Sequence, residues 1–178
     1  GYDIGGLVVK RRDDLLQTFR SSPEYYRSPK DAPLNWYQYS LEGTRRFRAL
    51  KLWLSWKHLG TKGFGRLVEH TNDLAAHMVQ RCRELERFEV APAEPELSVV
   101  CFRHVPRELE DGDTVDAYQD ALQRALEMDG TGWVSTTRLR GRTYLRAGIV
   151  NYLSMTDDVD AVLDALVRLS PGALASLR

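Results

Sequence analysis

Apolar residues recur along this chain with two periods, and the change from one to the other divides it. The apolar run Ile4–Val9 reads as a buried strand that needs neighbours on both sides. Arg12–Phe19, with acids early and apolar residues late, predicts a short helix or turn. From Arg20 to Ser40 no period survives. Three prolines and the pair Tyr25-Tyr26 mark a loop of a length that compact domains keep mainly for a function such as a lid. Helical spacing then takes over. Phe47, Leu50, Trp53, Leu54 and Trp56 cover more than one stripe, so a helix from about Thr44 to Leu59 is expected to be buried on most sides, in a core or an interface. Gly60 and Gly63 predict a bend. A second helix follows to about Glu86, with Phe64, Leu67, Val68, Thr71, Leu74, Ala75, Met78, Cys82 and Leu85 on its apolar face.

Beyond Glu86 strands and helices mix. Arg87–Ala91 and Leu97–His104 predict strands, and Gly112-Asp113-Thr114 caps a helix whose face is Val115, Tyr118, Leu122, Ala125 and Leu126. Gly130 ends that helix. Trp133–Leu139 and Thr143–Val150 predict a hairpin about Arg140-Gly141. The last helix has Thr156 as N-cap, Asp157 and Asp158 in its first turn, Val159, Val162, Leu163 and Leu166 inward, and Pro171-Gly172 beyond its end. A small antiparallel sheet with helices on one face accounts for Arg87 onward. The expected division is 1–60, containing the loop 20–40 and the Trp-rich helix, and 61–178, an α+β domain.

Charge narrows the partners. Lys plus Arg equals Asp plus Glu, so no general attraction to nucleic acid or to an anionic membrane is expected, and the basic cluster Arg45–Arg66 needs a local explanation. No apolar run is long enough to span a bilayer, and no signal peptide opens the chain. Cys82 in a helical pattern and Cys101 in a strand suit two buried free thiols, which points to the cytoplasm. The chain opens without Met directly into an apolar strand, as the middle of a protein would.

Four residues stand out as candidates for chemistry. Gly43 and Thr44 precede the expected helix, where unpaired amides and the positive end of the dipole favour an anion. Arg45, Arg46 and Arg48 follow at once and would oppose that dipole unless an anion, a phosphate being the obvious one, sits there. Thr44 as a plain helix cap is the simpler reading. Tyr25, within Ser22-Pro23-Glu24-Tyr25-Tyr26-Arg27, taken alone is a surface aromatic. Arg146 alternates with Tyr144 and Gly148 on one face of its strand, opposite Leu145, Ala147 and Ile149, and taken alone is a solvated arginine. His70 and His77 lack a third ligand at metal spacing, so no metal site is expected and both read as solvated helix histidines.

The wording of the chain adds to this. RRFRALKLW followed by G-x-K-G, with GGLVVKRRDDLLQTF and SPEYYRSP before it and RFEVAPAEPELSVVCFRH and YLRAGIVN after it, resembles the C-terminal half of the group II pyridoxal-phosphate-dependent amino-acid decarboxylases. The resemblance implies an α/β fold of fold-type I, with this chain as the end of the large domain plus an α+β C-terminal domain. It implies pyridoxal 5'-phosphate as cofactor and an intertwined homodimer. The family's cofactor lysine lies a few residues before the position of Tyr2 and no lysine here matches it, so an N-terminal portion carrying it is expected as partner. By the same resemblance Tyr25, on a mobile loop, is the acid that protonates Cα after CO2 leaves, with Tyr26 as the alternative one residue away. Gly43 and Thr44 approach the cofactor phosphate, although the family's glycine directly precedes the Arg pair and Thr44 intervenes here. Arg146 lies near the carboxylate of a small amino-acid substrate. RRFRALKLW and YLRAGIVN are closest to the aromatic branch. Acidic or diamino substrates, or a non-catalytic dimerisation module, are the alternatives.

Overall fold

The computed structural model describes residues 4–19, 36–109 and 112–177, apart from the side chain of Arg12. The chain divides into two compact units, Gly1–Thr61 and Lys62–Arg178.

In the first unit, α1 spans Arg12–Phe19 as the pattern predicts, opening with Asp13 and Asp14 where carboxylates suit the helix dipole. Ile4–Val9 is not a strand. No described segment pairs with it, and Leu7 and Val8 are exposed, which follows from what a doubly buried strand requires: neighbours on both sides. Of the expected loop, residues 20–35 lie outside the described set, and its end forms a 3-10 turn, Trp36–Tyr39.

The long helix α2 runs Ala49–Glu84 with an interruption at Gly60 (φ 67, ψ 175), a conformation open to glycine and strained for other residues. It begins five residues later than the apolar pattern predicts, because Leu41–Phe47 form bends and irregular chain. The expectation of burial on most sides is also corrected. Leu50, Leu52, Trp53, Leu54, Trp56 and Leu59 are all at least 39% exposed.

The second unit holds the core. Four strands, β1 (Phe88–Val90), β2 (Val99–His104), β3 (Ser135–Leu139) and β4 (Arg142–Gly148), form an antiparallel sheet in the order β1-β2-β4-β3. The register pairs Val100 with Ala147 and Phe102 with Leu145 on one face, which packs with α3 (Gly112–Asp129), α4 (Thr156–Ala175) and the later half of α2. Phe102, Tyr118, Leu122, Leu126, Leu145, Leu163 and Leu166 are fully buried there, each contributing roughly 1.5–3 kcal/mol of apolar burial. Gly132 has its own reason to lack a side chain, since a Cβ there would come within 2.5 Å of Val162 Cγ2 on α4.

The turn of the β3–β4 hairpin is Arg140-Gly141, both with positive φ (50° and 80°), the arrangement whose twist suits a two-residue connection. α4 differs from expectation at both ends. Its N-cap is Met155, whose N–H donates to the Asp158 carboxylate at 2.8 Å, and Thr156 is already helical. Pro171 and Gly172 lie inside it, because burial of Ser170 and Ala173, with Leu174 and Leu177 packed on the core, offsets the hydrogen bond that proline forfeits. His70 and His77 are not solvated as expected. His70 Nε2 donates to the Ser154 carbonyl (2.8 Å), and His77 Nε2 meets Asp160 Oδ1 (2.9 Å), which also accepts from Arg81 Nε (3.0 Å). Cys82 and Cys101 are buried free thiols, as expected.

Candidate active site

The face of the sheet away from the helices carries Val99, Cys101 and Arg103 from β2, and Tyr144, Arg146 and Gly148 from β4. Alternation along each strand puts them there. Arg103 is 4% exposed, a charge almost wholly removed from water, and it survives burial because Nη2 donates to Asp116 Oδ1 at 2.8 Å. Its guanidinium also lies 5.3 Å from the centre of the Tyr144 ring, within cation–π range. Asp116 accepts a further bond from the Thr143 N–H (2.9 Å) and lies 3.8 Å from Arg138. Two arginines therefore share one carboxylate.

Arg146 is different. It is exposed, it pairs across the sheet with Cys101 and Ser135, and among the described residues it has no carboxylate partner. Its charge is available to an anion from outside the chain. It also opposes part of the effect of burial on Cys101, whose thiol is pushed up by desolvation and drawn back by the neighbouring cation.

Gly43 and Thr44 occupy exposed bends in the first unit. They do not stand at a helix N-terminus, since α2 starts at Ala49, so the dipole argument does not apply to them. A different donor set is present: bend amides, the Thr44 hydroxyl and the exposed Arg45 and Arg46, with a Cβ on Gly43 meeting nothing within 4 Å. Among the described residues every lysine is exposed. Tyr25 and Tyr26 lie outside the described residues. The expected site residues thus fall in separate places: Gly43 and Thr44 in unit 1–61, Arg146 in unit 62–178.

Sequence reasoning missed the Arg103–Asp116–Tyr144 network. The signal was a charged residue directly after the apolar run Val99–Phe102 and within the same strand, which burial tolerates only with a partner. It also missed the buried chain in which His104 Nδ1 meets Tyr118 Oη (2.7 Å) and Tyr118 donates to Ser170 Oγ (2.8 Å). Burial there lowers the His104 pKa and pushes the Tyr118 phenol up to about 12, so the network is neutral and structural. No group of three or more His, Cys, Asp and Glu suited to a metal occurs among the described residues, and no described helix is long and apolar enough to cross a membrane.

Residues 1–105 match the pyridoxal-dependent decarboxylase conserved domain, and the chain belongs to that family, whose cofactor is pyridoxal phosphate. It is 31% identical over 162 residues to the aromatic-L-amino-acid decarboxylase of Bacillus atrophaeus, covering 89% of this chain and 33% of that protein. It is 26% identical over 178 residues to the acidic amino acid decarboxylase of Mus musculus, covering 93% of this chain and 32% of that one. The crystal structure of Oryza sativa TDC with PLP and tryptamine superimposes with a TM-score of 0.77 at 21% identity, over 88% of this chain and 33% of that one, and shares the fold. The chain spans about a third of the length of the curated relatives it matches.

Proposed function

We propose that this chain is the C-terminal portion of a pyridoxal-phosphate-dependent decarboxylase of aromatic L-amino acids, releasing CO2 and an amine. It works with an N-terminal portion that carries the cofactor lysine, as a homodimer in the cytoplasm. The observation that carries the substrate class is the identity, sustained over 89% of the chain, to an aromatic-L-amino-acid decarboxylase. When bound, pyridoxal phosphate supplies the electron sink that lets Cα give up its carboxylate. The chain's own residues bind, orient and protonate. Arg146, exposed and with no carboxylate partner among the described residues, holds the substrate carboxylate with its two-point fork and so orients the bond that breaks. Gly43 and Thr44, with the arginines beside them, contribute to the phosphate cradle. Tyr25 delivers a proton to Cα.

Acidic substrates have support of their own, since the likeness to the acidic amino acid decarboxylase extends over 93% of the chain. The deciding experiment loads the complete protein with cofactor and measures CO2 and amine from tyrosine, tryptophan, phenylalanine, glutamate, aspartate and 2,4-diaminobutyrate. Fastest turnover of an aromatic member is expected. Preference for glutamate or aspartate would move the protein to the acidic branch, and no turnover of any would support the dimerisation module.

A further inference from the structure

Gly148 stands two residues beyond Arg146 on the same face of β4, opposite Val99 of β2. Its backbone does not require glycine. Gly60, Gly130 and Gly141 have positive φ, and Gly148 does not. A glycine in a strand forfeits side-chain packing and costs backbone entropy, and it commonly marks a place that another group must approach. Here the group is on the page. A Cβ built on Gly148 would meet Nη1 of Arg146 at 3.9 Å and no other heavy atom within 4 Å. The guanidinium therefore extends along the strand and lies beside the space that a side chain at 148 would take. In the opposite direction Tyr144 is buried against Arg103, and across the sheet the buried Cys101 faces the base of Arg146. With Ser135 of β3 on its other side, the arginine takes its course over Gly148.

We propose that Gly148 is a positioning residue for Arg146: the absent side chain leaves the shelf over which the guanidinium lies and sets the direction in which its fork meets a substrate carboxylate. This rests on the reading of Arg146 as the carboxylate clamp. The distance grades the effect of substitution. At 3.9 Å a methyl group is in ordinary contact, so alanine fits without moving the arginine. The γ-carbons of valine reach one bond further and displace the guanidinium. Because residue 148 is exposed and a β-branched side chain suits a strand, Gly148→Val should fold, which separates positioning from stability.

The test uses the complete, cofactor-loaded protein. For whichever L-amino acid is turned over, calorimetry compares its deaminated acid, which keeps the carboxylate, with its decarboxylated amine, which lacks it; for phenylalanine these are 3-phenylpropionate and 2-phenylethylamine. Gly148→Val should weaken the acid on the order of tenfold, as expected for a lost charge-assisted contact, and leave the amine unchanged. Gly148→Ala should match the wild type, and KM for the amino acid should follow the acid. In an Arg146→Ala background Gly148→Val should add nothing, since the two would act through one group. Arg146→Ala without effect on the acid overturns the clamp itself. A weakened acid in Arg146→Ala together with wild-type affinity in Gly148→Val overturns the positioning role alone. Equal weakening of acid and amine, or an undiminished effect in the Arg146→Ala background, also overturns it. If Gly148→Val does not accumulate as folded protein, Gly148→Ser, with one γ atom, decides by the same comparison.

Discussion

Arg103 and Arg146 lie on one sheet face in neighbouring strands, and their surroundings assign them opposite tasks. Arg103 is buried against Tyr144 and neutralised by Asp116, so its charge is spent inside the fold. Arg146 is exposed and has no carboxylate partner among the described residues, which suits the proposed clamp role. At this scale the sharpest prediction concerns Tyr25. Tyr25→Phe in the complete protein keeps the ring and removes the hydroxyl proposed as the proton donor, so substrate binding should persist. Amine formation should fall about a hundredfold to ten-thousandfold, the usual worth of general acid catalysis. Tyr26→Phe should remain near wild type. Quantifying amine under single-turnover conditions checks this, and a defect that appears in Tyr26→Phe instead would reassign the proton donor.

Elements are joined by a few charged contacts whose titration can be followed. Asp129 ends α3, where a carboxylate meets the negative end of the helix dipole and would be unfavourable alone. Arg168 of α4 donates to it through both terminal nitrogens (3.0 and 2.8 Å), and the Thr131 hydroxyl donates as well. The Arg168 bonds first, then Thr131, lower its pKa to about 2. A carboxylate depressed in the folded state adds stability above its unfolded pKa of about 3.9, and that contribution is lost as pH falls toward the folded value. The denaturation midpoint of the wild type should exceed that of Arg168→Gln at pH 7. The gap should close between about pH 4 and pH 2. A gap that stayed constant over that range would show that Arg168 acts through packing of its stem.

At the scale of the molecule, the first half of α2 presents exposed apolar side chains. Leu50, Trp53 and Leu54 follow helical spacing and are exposed, with Lys57 5.6 Å from the Trp53 ring as polar cover. An apolar surface of this kind is what an association face needs. In the proposed homodimer, Trp53→Glu with Leu54→Glu should shift the complete protein from dimer to monomer in sedimentation velocity and reduce retention of the cofactor through dialysis. An unchanged dimer would place the subunit interface elsewhere.

Much of unit 62–178 was legible in the residues because local and tertiary demands agree there. The period of Val115, Tyr118, Leu122 and Leu126 is helical, and those residues face the core; Leu145 and Ala147 alternate inward as strand residues do; Arg140-Gly141 is a turn by chemistry and by φ. Where the two demands part, sequence alone misled. Thr156 caps well in isolation, yet Asp158 reaches the Met155 N–H and the helix starts there. Pro171 signals an end, yet burial of Ala173 carries the helix past it. Ile4–Val9 has the composition of a strand, but hydrogen-bonded neighbours make a strand, and no described segment supplies them. The family was legible in the wording of the chain. The contrast between a buried, paired Arg103 and an exposed Arg146 was not, because both stand on one alternating face and only the packing of α3 against the sheet brings Asp116 to one of them and leaves the other open.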